Sequence, residues 1–323
     1  MALFSGSLPA SEGSLHAGVY VWEQLFSDWL TGTIAEEVSI PDFVEGQLSK
    51  KITYWPLAAI FLGQAHCQHR FSQHQLLPFF SSLSAKLEQM INARWEENTG
   101  LLYLSSPEES LLEDSDFWAQ ASESKIVDPS FLALTIHALE HLIFLGGHLQ
   151  QDIQSLSQHY ELLIHAVNEY LWNETYGVYF PYNLDQQEQV VSGSLGGLLF
   201  WIADVPDQEQ AEAMYRTLAN NFVHPEHYYF PTQCVLDNGQ SRKVNLLLNY
   251  LLFFGLTRFD FGITAKALRQ HTKFLIEEYG VQSIFDSRRH SIEHPIQQQS
   301  PAFMNTLWQA MQSAPLKHYT QKL

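Results

Sequence analysis

The sequence predicts an all-α fold of stacked helical hairpins closed into an (α/α)6 toroid, and three observations carry that prediction. Apolar residues recur at i, i+3, i+4 and i+7 through almost the whole chain, the spacing of a buried helix face. Short connections alternate with long polar, aromatic-rich ones, as in a string of helix pairs. One late segment, "VNLLLNYLLFFGL" from Val244, leaves almost no polar face and needs cover on all sides, which an inner ring supplies. An open solenoid and an ordinary bundle are the alternative packings.

In chain order, the spacing predicts helices over 20–30, 56–65, 77–95, 129–147, 153–172, 192–203, 207–222, 244–259, 263–280 and 301–312. Asp128 before Pro129 reads as N-cap followed by N1, and Gly146 and Gly280 stand where a left-handed C-cap residue is wanted. There is no convincing run of alternating strands, although "GLLYL" and "GVYFPY" are suited to short local pairing. The long connections are 96–127, 173–191, 223–243 and 281–300, and loops of that length in a compact fold usually carry function. "WEENTGLLY" from Trp95 and "WNETYGVYF" from Trp172 share Trp, Glu and Gly at equal offsets, each after a helix and at the start of a long loop. No Pro/Ser-rich linker or shift of composition divides the chain, so a single domain spanning 1–323 is expected.

With 46% hydrophobic and 16% charged residues the chain can bury a large core. Its formal charge of -18 repels nucleic-acid phosphates and anionic lipid, which argues against both partners. Cys67 and Cys234 are far apart and in no metal or redox spacing, so no disulfide framework is expected. The N-terminal stretch lacks the pattern of a signal peptide and no uncharged apolar segment of 18 residues occurs, which makes a cytoplasmic location the expectation.

The stretch "SPEESLLEDSDFW" (106–118) crowds Glu108, Glu109, Glu113 and Asp114 into seven positions, with Asp116 just beyond. Charge alone fits a solvated acidic loop, or a helix start whose dipole favours carboxylates. "HALEH", His137 to His141, has the letters of an inverted zinc-protease motif. The same helix is better explained by an apolar face of Leu132, Ile136, Leu139 and Ile143 with the histidines at its margins. His66, Cys67, His69 and His74 have metal-ligand residue types but no recognised spacing, and neither a phosphate loop nor a Gly-x-Ser-x-Gly elbow is present. Neither metal nor cofactor is therefore expected.

Taken together, "DPSFLALTIHALEHLIFLG", "LWNETYGVYFPYNLD" and "VNLLLNYLLFFGL", in that order, resemble the (α/α)6-barrel glycoside hydrolases of the processing α-glucosidase I and mannosylglycerate hydrolase type, glycoside hydrolase family 63-like, and more distantly trehalases. The resemblance spans roughly residues 20–312. It implies inverting hydrolysis of an α-glucoside or α-mannoside, with a small carbohydrate as partner. Against the family loop Glu-Ser-Gly-x-Asp-Asn-Ser-Pro, "ESLLEDSD" puts Glu113 at the general-acid position, with Asp114 to raise its pKa; Leu111 replaces the Gly and Asp116 the Pro. The family's base, in Gly-x-x-Glu-Tyr-Phe, falls on Ser283 of "YGVQSIFD", which leaves Asp286 as the nearest carboxylate and Glu293 as a more distant one. "SRKVN" stands where Arg-Gly-Pro-Val-Trp is expected, so Arg242 and Asn245 take the substrate-binding places. Glu109 and an aromatic platform of Trp22, Tyr54, Trp55, Phe117 and Trp118 complete the expected sugar site, though core packing explains such aromatics equally. A barrel that binds sugar or protein without catalysis, and an isomerase or epimerase using a cavity histidine pair, are the alternatives.

Overall fold

The computed structural model describes residues 56, 59, 60, 62, 63, 72–112, 115–120, 125–222, 230–232, 243–279, 284–286, 308, 311 and 312. Expectations for helix 20–30 and for Gly280, Cys67 and Cys234 lie outside these residues.

In chain order the elements are α1 (Gln73–Arg94), β1 (Trp95–Glu96), β2 (Leu101–Leu102), a 3₁₀ turn (Pro107–Glu109), α2 (Asp116–Gln120), β3 (Ile126–Val127), α3 (Pro129–His148) and α4 (Gln154–Tyr170). There follow β4 (Trp172–Asn173), β5 (Val178–Tyr179), β6 (Tyr182–Asn183), β7 (Glu188–Gln189), a 3₁₀ helix (Leu195–Ala203), α5 (Gln208–Asn221), β8 (Lys243–Asn245), α6 (Leu246–Arg258), α7 (Gly262–Tyr279) and β9 (Ile284–Asp286). The largest sheet among the described residues has three strands, so the fold is helical as expected.

Two kinds of helix alternate, and their sequences say why. α4 buries Leu156, Leu163, Ala166 and Val167, and α5 buries Ala211, Met214 and Leu218, one stripe each, as on an outer helix. By contrast α3, the 195–203 helix and α6 are buried nearly all round. α3 is long and apolar enough to cross a membrane, but 78% of that stretch is buried inside the fold, as in a core helix. Ser130 of α3 lies against Gly196, and the Leu195 amide bonds the Thr232 carbonyl at 2.9 Å. Phe230 exchanges two 2.9 Å bonds with Asn249 in the first turn of α6. At the other end Gly255 of α6 packs on Trp201, and Arg258 bonds Ile202 O at 2.9 Å. The three buried helices therefore run in the same direction, each followed by an outer helix that returns, which is the hairpin order of a toroid.

Most expected helices are present, with corrections at their ends. Asp128 caps α3 with Pro129 in its first turn. Gly146 is not the C-cap: it is helical and packed against Ile153 and Phe80, and the helix runs two residues further. Residues 195–203 form a 3₁₀ helix. Consecutive Gly196 and Gly197 weaken the α preference, and Gly197 lies where a Cβ would stand 2.0 Å from Tyr179 O. The two Trp repeats become the same hairpin twice, β1–β2 and β4–β5. In each, an i+4 bond of 2.8 Å ends on a glycine of positive φ, Gly100 (70°) and Gly177 (60°). Both hairpins follow outer helices, so the long loops they open lie at the end where the inner helices start.

The opposite end is closed by charge. Arg258 pairs with Glu140 of α3 at 2.6 Å and with Asp204 at 3.2 Å, and Glu140 also accepts from His137 at 2.8 Å. His137 meets His141 Nε2 to Nε2 at 3.3 Å. His141 is buried rather than marginal, because α3 is covered on every side. Burial alone would raise the Glu140 pKa, but His137 and Arg258 outweigh it and hold the carboxyl at about 2. Burial, with the charge of His137, pushes His141 down to about 3.

Both groups have folded pKa values below their unfolded ones, so each adds stability at neutral pH that is lost in acid: His141 from about 6.5 downward, Glu140 from about 4.5. Urea unfolding should show Arg258→Met costing about 3–5 kcal/mol at pH 7, since it strands a buried carboxylate, with part recovered in Glu140→Gln/Arg258→Met. An Arg258→Met stability equal to wild type would show the pair to be idle.

Candidate active site

At the end where the inner helices begin, their caps also hold the acidic stretch. Asp128 Oδ1 caps α3 by accepting from the amide and the hydroxyl of Ser130, at 2.8 and 2.7 Å. Its Oδ2 accepts from the Ser110 hydroxyl, and that oxygen in turn accepts from the Leu112 amide at 2.8 Å. Ser194 caps the 195–203 helix through the Gly196 amide at 3.2 Å, and lies 3.5 Å from the Ser115 hydroxyl. Ser192 accepts from the Ser194 amide at 3.1 Å and donates to Asp116 Oδ1 at 2.5 Å. The Ser115 amide bonds Leu112 O at 2.9 Å, closing a turn whose two intervening residues in sequence are Glu113 and Asp114. The flanks of the expected acid are thus fastened to the caps of two neighbouring inner helices.

A second piece lies at the same end. β8 leads directly into α6, and β9 pairs with it antiparallel, Lys243 opposite Asp286, Val244 opposite Phe285 and Asn245 opposite Ile284. The backbone of Asp286 is therefore anchored beside the start of an inner helix, 43 residues along the chain from Lys243. Among the described residues no group of three or more His, Cys, Asp or Glu is arranged to hold a metal ion.

The expected site residues divide accordingly. Glu113, Asp114, Trp22, Tyr54, Trp55, Arg242 and Ser283 lie outside the described residues. Glu109 is a staple: its carboxylate takes the Arg94 guanidinium and the Ser105 amide, the latter at 2.8 Å, and ties the 3₁₀ turn to the end of α1. Asn245 caps α6 by accepting from the Leu248 amide at 3.2 Å. Phe117, expected to face a sugar, is fully buried and stacks obliquely on Trp118, 5.3 Å between centroids. A ring with no exposed face belongs to the core. Trp118 is 8% exposed, and its indole N–H has no partner among the described residues. The anchors Ser110, Asp128, Ser192 and Ser194 escaped the sequence reading, apart from Asp128 as a cap. The signal for Ser192 and Ser194 was present in "SGSLGG", where serines precede the inner helix at cap spacing.

The model of the mannosylglycerate hydrolase MGH1-like glycoside hydrolase domain matches residues 18–236. The chain belongs to this family. Solved structures agree in fold. Mannosylglycerate hydrolase of glycoside hydrolase family 63 from Thermus thermophilus, in complex with Tris, superposes with TM-score 0.73 at 15% identity, covering 95% of this chain and 96% of that one. The glucose complex gives 0.69 at 17% identity, over 80% and 75%. Neutral trehalase Nth1 from Saccharomyces cerevisiae gives 0.62 at 11%, over 93% and 70%. A search of curated proteins finds no match. The glycoside hydrolase domain is an (α/α)6 toroid, as expected from the sequence, and the hairpin order agrees with it.

Asp128 offers a direct test of how this end is built. Burial raises its pKa above the ordinary 3.8, while the bonds from Ser110 and Ser130 pull the other way. A carboxyl whose folded pKa is raised favours folding most below its unfolded pKa and progressively less as pH climbs through the folded value. At pH 7, Asp128→Asn should therefore cost little, below about 1 kcal/mol, whereas Asp128→Ala should cost about 2 kcal/mol for the lost cap and stranded hydroxyls. Thermal unfolding of the two variants checks the order.

Proposed function

We propose that this glycoside hydrolase domain cleaves an α-glucoside or α-mannoside with inversion. Glu113 protonates the leaving oxygen, Asp286 activates water on the opposite face of the sugar, and Asp114 keeps Glu113 protonated by like-charge repulsion. One observation carries the reading: the turn around Glu113 and the strand that holds Asp286 both belong to the end where the inner helices begin. Inversion asks for two carboxyl groups about 6.5–9.5 Å apart with a water between one of them and the sugar. Two segments anchored to different inner helices can supply such a gap with room for a sugar between them. Arg242, Trp22, Tyr54 and Trp55 are assigned to sugar contacts. The Thermus thermophilus enzymes that share the fold are crystallised with glucose and with D-glycerate, so glucosyl and mannosyl glycerates belong in the substrate panel.

Ser283, at the place where a glutamate base is expected, favours a second reading, a barrel that binds sugar without hydrolysing it. The isomerase alternative gains nothing from His137 and His141, which are bound into the charge network at the other end.

Turnover of a panel of α-glucosides and α-mannosides decides between the first two. Glu113→Gln and Asp286→Asn should each lower kcat by about a hundredfold or more while binding persists. Binding without hydrolysis by the wild-type protein would favour the second reading. Activity insensitive to both substitutions would place the chemistry elsewhere.

A further inference from the structure

We infer that Asp116 and Ser192 form a positioning clasp that holds the acidic turn in register for catalysis. The inference rests on Glu113 being the general acid. The turn has two flanks. The N-terminal one is fixed through Ser110 to Asp128, a buried cap at the start of α3. The C-terminal flank has two ties to the 192–194 segment: the Ser115 to Ser194 contact at 3.5 Å, at the outer limit of a hydrogen bond, and the Ser192 to Asp116 bond at 2.5 Å. Only the second joins a hydroxyl to a carboxylate, the stronger kind of bond.

The geometry makes this bond a bridge between distant parts of the chain. Asp116 and Ser192 are 76 residues apart, and Ser192 is itself held by the amide of Ser194, which caps the 195–203 helix. Through it the start of α2 is tied to the start of an inner helix. Phe117 and Trp118 hold α2 to the core, but without this bond the link from the start of α2 to the 192–194 segment is left to the Ser115 contact at the distance limit.

Position 116 also explains why a different residue could do the same work. Asp116 opens α2, the first helical position, where the backbone amide needs no helical partner and proline is well accommodated. A proline there would fix the chain by its ring. An aspartate has to fix it through its side chain, and so needs Ser192.

The test compares Ser192→Ala, Asp116→Ala, Asp116→Pro and Ser192→Thr with the wild-type protein. Two readouts are used: amide hydrogen exchange over residues 109–120, and kcat and KM on the best α-glycoside of the panel. Ser192→Ala and Asp116→Ala should each speed exchange in that segment about tenfold without a change in global stability of comparable size. Each should lower kcat about tenfold or more with KM nearly constant, as expected when a catalytic group is misplaced rather than removed. The double Ser192→Ala/Asp116→Ala variant should be no worse than either single one. Ser192→Thr, which keeps the hydroxyl, and Asp116→Pro should recover most of both losses, and Asp116→Pro should be indifferent to Ser192→Ala. Unchanged exchange in Ser192→Ala overturns the clasp. Faster exchange with unchanged kcat overturns its catalytic role. A wild-type protein that hydrolyses nothing in the panel removes the acid assignment and the positioning role with it, while the exchange data still show whether the clasp exists.

Discussion

A single guanidinium joins three inner helices. Arg258, at the end of α6, reaches Glu140 on α3, the Ile202 carbonyl on the 195–203 helix and Asp204 just after it. The bodies of these helices are apolar nearly all round, and apolar surfaces attract without direction. Shape complementarity apart, little in such a surface says how far one helix should slide along the next. A buried carboxylate held by a guanidinium does say so, because any slip strands a charge at a cost of several kcal/mol, about what a domain can spare.

The other end solves the same problem with hydrogen bonds. Each inner helix starts with amides that no helical carbonyl satisfies. Asp128, Ser194 and Asn245 take some of them, and the first two pass the constraint on to the acidic turn. Thus the contacts that set helix register also set the position of the loop that carries the proposed acid. A substitution at one of these caps should therefore act on stability and on the loop together, which distinguishes them from the Arg258 network at the far end.

Much of this was legible from residues alone, for a physical reason. Outer helices such as α4 announce themselves by one stripe, and an inner one such as α6 by the absence of a polar face. The repeated Trp hairpins were legible because a turn of positive φ calls for glycine at a fixed offset. Long-range pairing was not legible. That Asp116 would find Ser192, or Glu140 find Arg258, depends on which helix neighbours which, and neither residue carries that information. Sequence alone likewise could not show the structural partners of Glu109 and Phe117. An acidic or aromatic side chain in a loop reads as functional until its partner, Arg94 in one case and the core in the other, is known.

The architecture also constrains the chemistry. Helix starts carry partial positive charge, and here several of them converge at the end that holds the acidic turn. That field favours ionised carboxylates, which suits a base but works against an acid that must hold its proton near neutrality. A general acid in this place would therefore need a stronger opposing influence close by, and the sequence offers a candidate in the carboxylates that neighbour Glu113 along the chain. The bond from Ser192 fixes where the Asp116 carboxyl stands. The crowding of like charge before Trp118, unexplained as a solvated loop once its flanks prove to be fastened to buried caps, is then what an acid at the positive ends of helices would require.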